Sequence, residues 1–223
     1  MRHGAVAYFD ADGRPVPEDD VPLTATGREQ AEAARALLDG VELDRVIVSG
    51  LPRTAETAAL VAPGHAAHTW PELRELKGAK LTSIPEDELE EAFVHAFRGI
   101  VPNEKRFLGG ESIGELFDRV VPAVERLVAD EAWDAVLVVA HGAVNRAIVS
   151  YALTGERTFL GRFEQAAGCL NVLDVDERGE WIVRAVNVAA TDLVHGSTRL
   201  TTMEQYWSQY RAAPEEPPDT SRS

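Results

Sequence analysis

Two stretches of the chain alternate between a short apolar run and a helical pattern. Val46-Ile47-Val48 ends at Ser49-Gly50 and passes into an Ala/Leu-rich segment over residues 53–61. Residues 135–140, almost wholly apolar, end at His141-Gly142 and pass into a helical segment over residues 143–153. Continuous β-branched runs suit strands covered on both faces, as in parallel sheets. Further helices lie between them. One begins between Thr24 and Thr26, with Ala31, Ala34, Leu37 and Leu38 at helical spacing. Another begins at Ser112, where Ser112-Ile113-Gly114-Glu115 fits a capping box. Its stripe of Ile113, Leu116, Phe117, Val120, Val124, Leu127 and Val128 repeats with helical period. Pro122 is expected to kink or divide this helix. Residues 169–175 and 181–188 flank Asp176-Glu177-Arg178-Gly179 and predict a β-hairpin. The segment 80–107 is less regular and stands as a candidate cover over a site. No internal repeat or interior linker interrupts the pattern.

The chain has 223 residues, enough for one substantial core, so residues 1–213 are expected to form one domain. Residues 214–223 are polar and proline-rich and are expected to be disordered. The formal net charge of -15 disfavours nucleic acid or an anionic membrane as partner, because both need a basic footprint. An acidic protein that binds phosphate must instead concentrate arginine and histidine locally. Cys169 is the single cysteine, so neither an intramolecular disulfide nor a cysteine-rich zinc site is available. The Met1-Arg2-His3-Gly4 start lacks the pattern of a signal peptide, and no apolar run is long enough to span a bilayer. A cytoplasmic protein is expected.

Arg53 and His141 each stand where a predicted parallel strand gives way to a helix, the edge at which open α/β sheets bind ligands. A helix N-terminus there offers unpaired N–H groups to an anion. Arg2-His3-Gly4 would complete the group if a strand led into it. Gly4, without a side chain, would let a phosphate approach the backbone. Two guanidiniums and two imidazoles around one pocket suit a dianion. His65, His68, His95 and His195 are read as structural, and so are Trp70, Phe93, Phe97 and Phe107.

The order of short motifs is more specific than any one of them. Arg2-His3-Gly4 is followed by Leu23-Thr24-Ala25-Thr26-Gly27, then by Ser49-Gly50-Leu51-Pro52-Arg53-Thr54-Ala55-Glu56-Thr57-Ala58. Leu73-Arg74-Glu75-Leu76-Lys77-Gly78, Gly109-Gly110-Glu111-Ser112 and Val138-Val139-Ala140-His141-Gly142 come next. This series resembles the histidine phosphatase superfamily, the phosphoglycerate mutase-like proteins.

The resemblance implies a three-layer α/β/α sandwich with a mostly parallel central sheet. It also implies a phosphomonoesterase in which His3 attacks phosphorus and the resulting phosphohistidine is hydrolysed by water. Arg2, Arg53, His141 and Gly142 would hold the phosphate. His141 would share the catalytic work with His3 and Glu75. One branch of the superfamily places an acid directly after the second histidine, where this chain has Gly142. By resemblance the proton donor for the leaving group therefore falls on Glu75, with Glu111 as runner-up. A small phosphorylated metabolite is the implied substrate, without metal or cofactor.

Two departures from the family pattern stand out. Only Met1 precedes Arg-His-Gly, so the first strand is expected to be missing or truncated, with the true start upstream and His3 poorly supported. Val6 and Phe9 occupy positions where mutase-type members carry polar side chains, which argues against phosphoglycerate mutase itself. A phosphomutase that returns the phosphate to bound product, or a catalytically weak protein that binds a phosphorylated ligand, are the competing readings.

Overall fold

The computed structural model describes residues 1–8, 10, 16–79, 84–192 and 200–212. In chain order its regular elements are α1 (Ala25–Leu37), β1 (Arg45–Val48), α2 (Pro52–Val61), β2 (Ala67–Thr69), α3 (Glu86–Val94), β3 (Ile100–Val101), α4 (Ile113–Val128), β4 (Val136–Val139), α5 (Gly142–Thr154), β5 (Phe159–Leu160), β6 (Leu170–Val175), β7 (Trp181–Val188) and α6 (Thr202–Ala212). His195 and the segment 213–223 lie outside the described residues.

The centre is a parallel sheet in the order β2-β1-β4. Val46, Ile47 and Val48 pair with Leu137, Val138 and Val139. Alternate residues face opposite sides of a pleated strand. Val46, Val48, Leu137 and Val139 accordingly pack with Ala31 and Ala34 of α1 and with Ala58 and Val61 of α2. Ile47 and Val138 face the other way, onto Leu116, Phe117 and Val120 of α4 and Val144 and Ala147 of α5. Helices therefore cover both faces, which is why these strands read as unbroken apolar runs.

The position of the expected missing strand is held by residues 1–3. Arg2 bridges Ala140 in parallel, His3 N–H donates to the Ala140 carbonyl oxygen at 3.1 Å, and Ala140 N–H donates to that of Met1 at 3.0 Å. On the other side Arg2 N–H donates to Cys169 O at 2.9 Å, and Gly168 N–H donates to His3 O at 3.0 Å. A very short strand thus links β4 to the antiparallel hairpin of β6 and β7. His3 is tied on both sides, contrary to the expectation of a poorly supported nucleophile.

α4 runs as one helix from its Ser112 capping box to Val128, with Pro122 inside it. The expected division does not occur. Pro122 and Asp118, whose carbonyl loses its helical donor, both face solvent, where water can serve that carbonyl. Trp70, Phe97 and Phe107 pack against the buried core, as expected of structural aromatics. Phe97 stacks on Phe107 with centroids 5.5 Å apart.

Candidate active site

The end of β1, the end of β4 and the short N-terminal strand converge on one pocket. Arg2, His3, Arg53 and His141 are all buried there, and the rings of His3 and His141 meet edge to face with centroids 5.1 Å apart. His3 Nδ1 lies 2.7 Å from the carbonyl oxygen of Gly4. A carbonyl can only accept, so Nδ1 carries the proton and Nε2 keeps its lone pair. Burial first, then the guanidiniums of Arg2 and Arg53, hold the His3 imidazole well below the usual histidine range. The ring is therefore neutral and nucleophilic at neutral pH. His141 is also lowered, by burial and by His3, Arg53 and Arg2.

Gly4 is required for a reason other than the expected one. A Cβ there would sit 2.2 Å from the carbonyl oxygen of Gly27, and one on Gly27 would sit 2.1 Å from that of Ala5. The two glycines let the turn after His3 lie directly on the start of α1. Gly4 N–H also donates to Thr57 Oγ1 at 3.1 Å, and Ala5 N–H to Gln30 Oε1 at 2.8 Å, so α1 and α2 both pin the turn.

Several buried polar nitrogens lack a partner within the protein among the described residues. Arg2 Nε, Arg53 Nε, His141 Nδ1 and Asn145 Nδ2 are buried without one. Three belong to the predicted site, and Asn145 stands one helical turn beyond His141. Buried polar atoms are rarely left unpaired in proteins, and a tetrahedral oxyanion would satisfy such a set.

Glu75 is brought to the same place. Its Oε1 accepts from Leu76 N–H at 2.9 Å and from Ala143 N–H at 3.2 Å, in the first turn of α5. A Cβ built on Gly142 would lie 3.7 Å from Glu75 Oε2, 3.8 Å from Arg2 Nε and 3.5 Å from Arg146 Nη1. Gly142 therefore adjoins both the Glu75 carboxylate and the arginines. Glu111 takes a structural place: both of its oxygens accept from Arg119, at 2.7 and 2.9 Å. Arg119 also donates to the carbonyl oxygens of Glu72, Arg74 and Glu75, so this ion pair props the loop that carries Glu75.

Other contacts lie outside the predicted set. Arg53 Nη1 donates to the Glu18 carbonyl oxygen at 2.8 Å, and Nη2 lies 3.3 Å from its carboxylate. Burial pushes the Glu18 carboxyl up, while Arg53 opposes it. Arg2 donates to Thr202 Oγ1 at 2.8 Å and to Tyr206 Oη at 2.9 Å, both on α6. Tyr206 in turn meets Tyr8 edge to face at 5.0 Å. The groups contacting the pocket arginines thus come from the Glu18 loop, from α6 and from the Gln165 carbonyl oxygen between β5 and β6, while α3, inside the candidate cover, packs against α6. Residues 80–83 and Phe9 lie outside the described residues.

The remaining histidines stand elsewhere. His65 bonds the Leu43 carbonyl oxygen, His68 lies on β2 and His95 follows α3. Val6 is buried and bridges Leu23.

Comparison with known proteins matches this geometry to a family. The family model described as histidine phosphatase superfamily (branch 1) matches residues 1–188. A 2-carboxy-D-arabinitol-1-phosphatase of Triticum aestivum is 32% identical over 158 residues, covering 69% of this chain but only 32% of that protein. An adenosylcobalamin/alpha-ribazole phosphatase of Escherichia coli is 26% identical over 187 residues, covering 80% of this chain and 89% of that one. Among solved structures, the alpha-ribazole phosphatase of Shigella flexneri superposes with a TM-score of 0.67 at 25% identity, over 84% of this chain and 94% of that one.

Proposed function

Because the chain belongs to the histidine phosphatase superfamily, we propose that it is a phosphomonoesterase of a small phosphorylated metabolite, working through a phosphohistidine on His3. The observation that carries this reading is the orientation of His3. Its Nδ1 proton is held by Gly4 O, so a neutral Nε2 is left beside Arg2, Arg53 and His141.

The proposed roles follow from that arrangement. Substrate phosphate binds among Arg2, Arg53, His141 and the Gly142 end of α5, where fixed positive charge is offered without reorganisation. His3 Nε2 attacks phosphorus in line, and the ester bond to the alcohol breaks. Glu75, fixed through Oε1, gives its proton from Oε2 to the departing alkoxide. The same carboxylate then takes a proton from water as water displaces the phosphoryl group from His3. This cycle uses only side chains of this chain and asks for no metal.

The printed names of the relatives cover different phosphorylated substrates, and the substrate proposed here is kept to the class of small monoesters. No helix among the described residues is long and apolar enough to cross a membrane. We place the protein in the cytoplasm on its acidic composition and lone cysteine, with residues 1–213 acting as one domain.

A panel of phosphomonoesters, read by release of inorganic phosphate, tests the function. Turnover of at least one small-metabolite ester that is lost in His3→Ala supports it. Interconversion of phosphoglycerate isomers without free phosphate would sink the hydrolase reading in favour of a mutase. Binding without turnover of any ester would leave a ligand-binding protein.

A further inference from the structure

Behind His141 runs a chain of buried hydroxyls that the catalytic cycle above does not use. Ser49 Oγ lies 2.8 Å from His141 Nε2 and 3.1 Å from Thr54 Oγ1, and Thr54 Oγ1 lies 2.8 Å from the carbonyl oxygen of Leu51. Ser49, Thr54 and His141 are all buried. Protons can be counted along this chain. Leu51 O also accepts from Thr54 N–H at 3.0 Å and Ala55 N–H at 3.2 Å and can only accept, so a 2.8 Å contact between it and Thr54 Oγ1 needs the Thr54 hydroxyl proton between the two oxygens. Thr54 Oγ1 can then only accept from Ser49, which commits the single Ser49 proton. Ser49 Oγ is left as an acceptor towards Leu51 N–H at 3.4 Å and towards His141. Its partner Nε2 must therefore be the donor. If Ser49 donated to His141 instead, one of the two oxygen–oxygen contacts would have no proton, a buried mismatch that proteins avoid.

We propose that Ser49, oriented by Thr54, is a positioning residue that fixes His141 in the tautomer protonated on Nε2, so that phosphate is bound with one shared proton on Nδ1. Nδ1 is the buried ring nitrogen without a protein partner. As a bare lone pair it would repel a phosphate oxygen; protonated, it donates to one. The substrate monoanion brings that proton, which moves to Nδ1 and leaves an imidazolium beside a dianion. No bond to phosphorus changes in this step and no proton is lost. The charged groups around His141 are Arg2 and His3 from the short N-terminal strand, Arg53 from α2, Arg119 from α4, Arg146 on α5 and Glu75. Glu18 also lies on Arg53. The positive groups favour a neutral ring until a phosphate counters them.

The pH consequence rests on the phosphohistidine reading, whereas the tautomer does not. Long-range proton–nitrogen NMR of the full chain, with His141 assigned by its loss in His141→Gln, reads the tautomer of the free protein directly. Protonated Nε2 and bare Nδ1 are expected; the reverse overturns the proposal whatever the activity. The kinetic arm uses p-nitrophenyl phosphate, whose leaving group does not need an acid from Glu75. Above the second ionisation of the ester, kcat/KM is expected to fall tenfold per pH unit in the wild type. In Ser49→Ala the ring is free to carry its proton on Nδ1 while neutral, and that slope should flatten. Ser49→Thr, which restores the hydroxyl, should restore the slope. A Ser49→Ala profile with the wild-type slope and only a lower amplitude would make Ser49 a packing residue and overturn the inference. An inactive protein with the expected tautomer would instead count against the phosphatase reading alone.

Discussion

The Gly4 carbonyl oxygen 2.7 Å from His3 Nδ1 leaves Nε2 as the ring nitrogen with a lone pair, the atom proposed to react, and burial beside Arg2 and Arg53 keeps that ring neutral. Glu75 is fixed just as narrowly, by two N–H groups on one oxygen, with the other left towards Gly142. If Oε2 supplies the leaving-group proton, Glu75→Gln should lower kcat/KM, which runs through release of the alcohol, about 10²–10⁴-fold for alkyl phosphates. With p-nitrophenyl phosphate the loss in kcat/KM should be slight, while kcat still falls because hydrolysis of the phosphohistidine keeps its need for the base. Steady-state assays on both esters check this, and equal losses in kcat/KM would remove Glu75 from the acid role. Arg2, His3, Arg53, Glu75 and His141 were legible in the sequence because each sits in a short motif whose order is itself informative. Glu18, Thr202 and Tyr206 were not. They meet the arginines through contacts 35 to 204 positions apart in the chain, and no local pattern marks such a partner.

At the level of elements, parallel strands β1 and β4 deliver Ser49 and His141 to one edge of the sheet, and the short strand of residues 1–3 brings His3 beside them. The apolar runs of β1 and β4 announced themselves because helices cover both faces. β2 did not, since Ala67, His68 and Thr69 are exposed and carry no apolar signal. Pro122 misled for the opposite reason: a local rule predicted a break, but its outward face let the buried stripe of α4 keep one helix. Gly4 shows packing taking over a role that the sequence assigned to ligand approach. Gly4→Ala must push the turn off α1, and overpacking of this kind costs about 1–3 kcal/mol. Thermal or urea unfolding should show that loss. A Gly4→Ala protein as stable as the wild type would contradict the close approach to Gly27.

Over the whole molecule a net charge of -15 surrounds a buried nest of arginines and two lowered histidines. Both imidazoles are depressed in the folded state and return to about 6.5 on unfolding. Below that pH the unfolded chain binds more protons, so stability rises with pH through this window. The contribution of the neutral rings is complete above about pH 6.5 and is lost as pH falls towards their folded values. Urea midpoints should therefore drop between pH 7 and pH 5, and a His3→Asn/His141→Asn protein should show a shallower drop. An unchanged slope in that variant would mean that other groups set the acid sensitivity.

The central claim is that phosphate passes through His3, and one trapping experiment addresses it. The full chain is mixed with a radiolabelled phosphomonoester that it turns over, quenched in denaturant at alkaline pH, and the label is mapped to a peptide. An acid-labile, base-stable label on the peptide carrying His3, absent from His3→Ala, is the predicted result. A label that survives acid, maps to another residue or persists in His3→Ala would contradict the account.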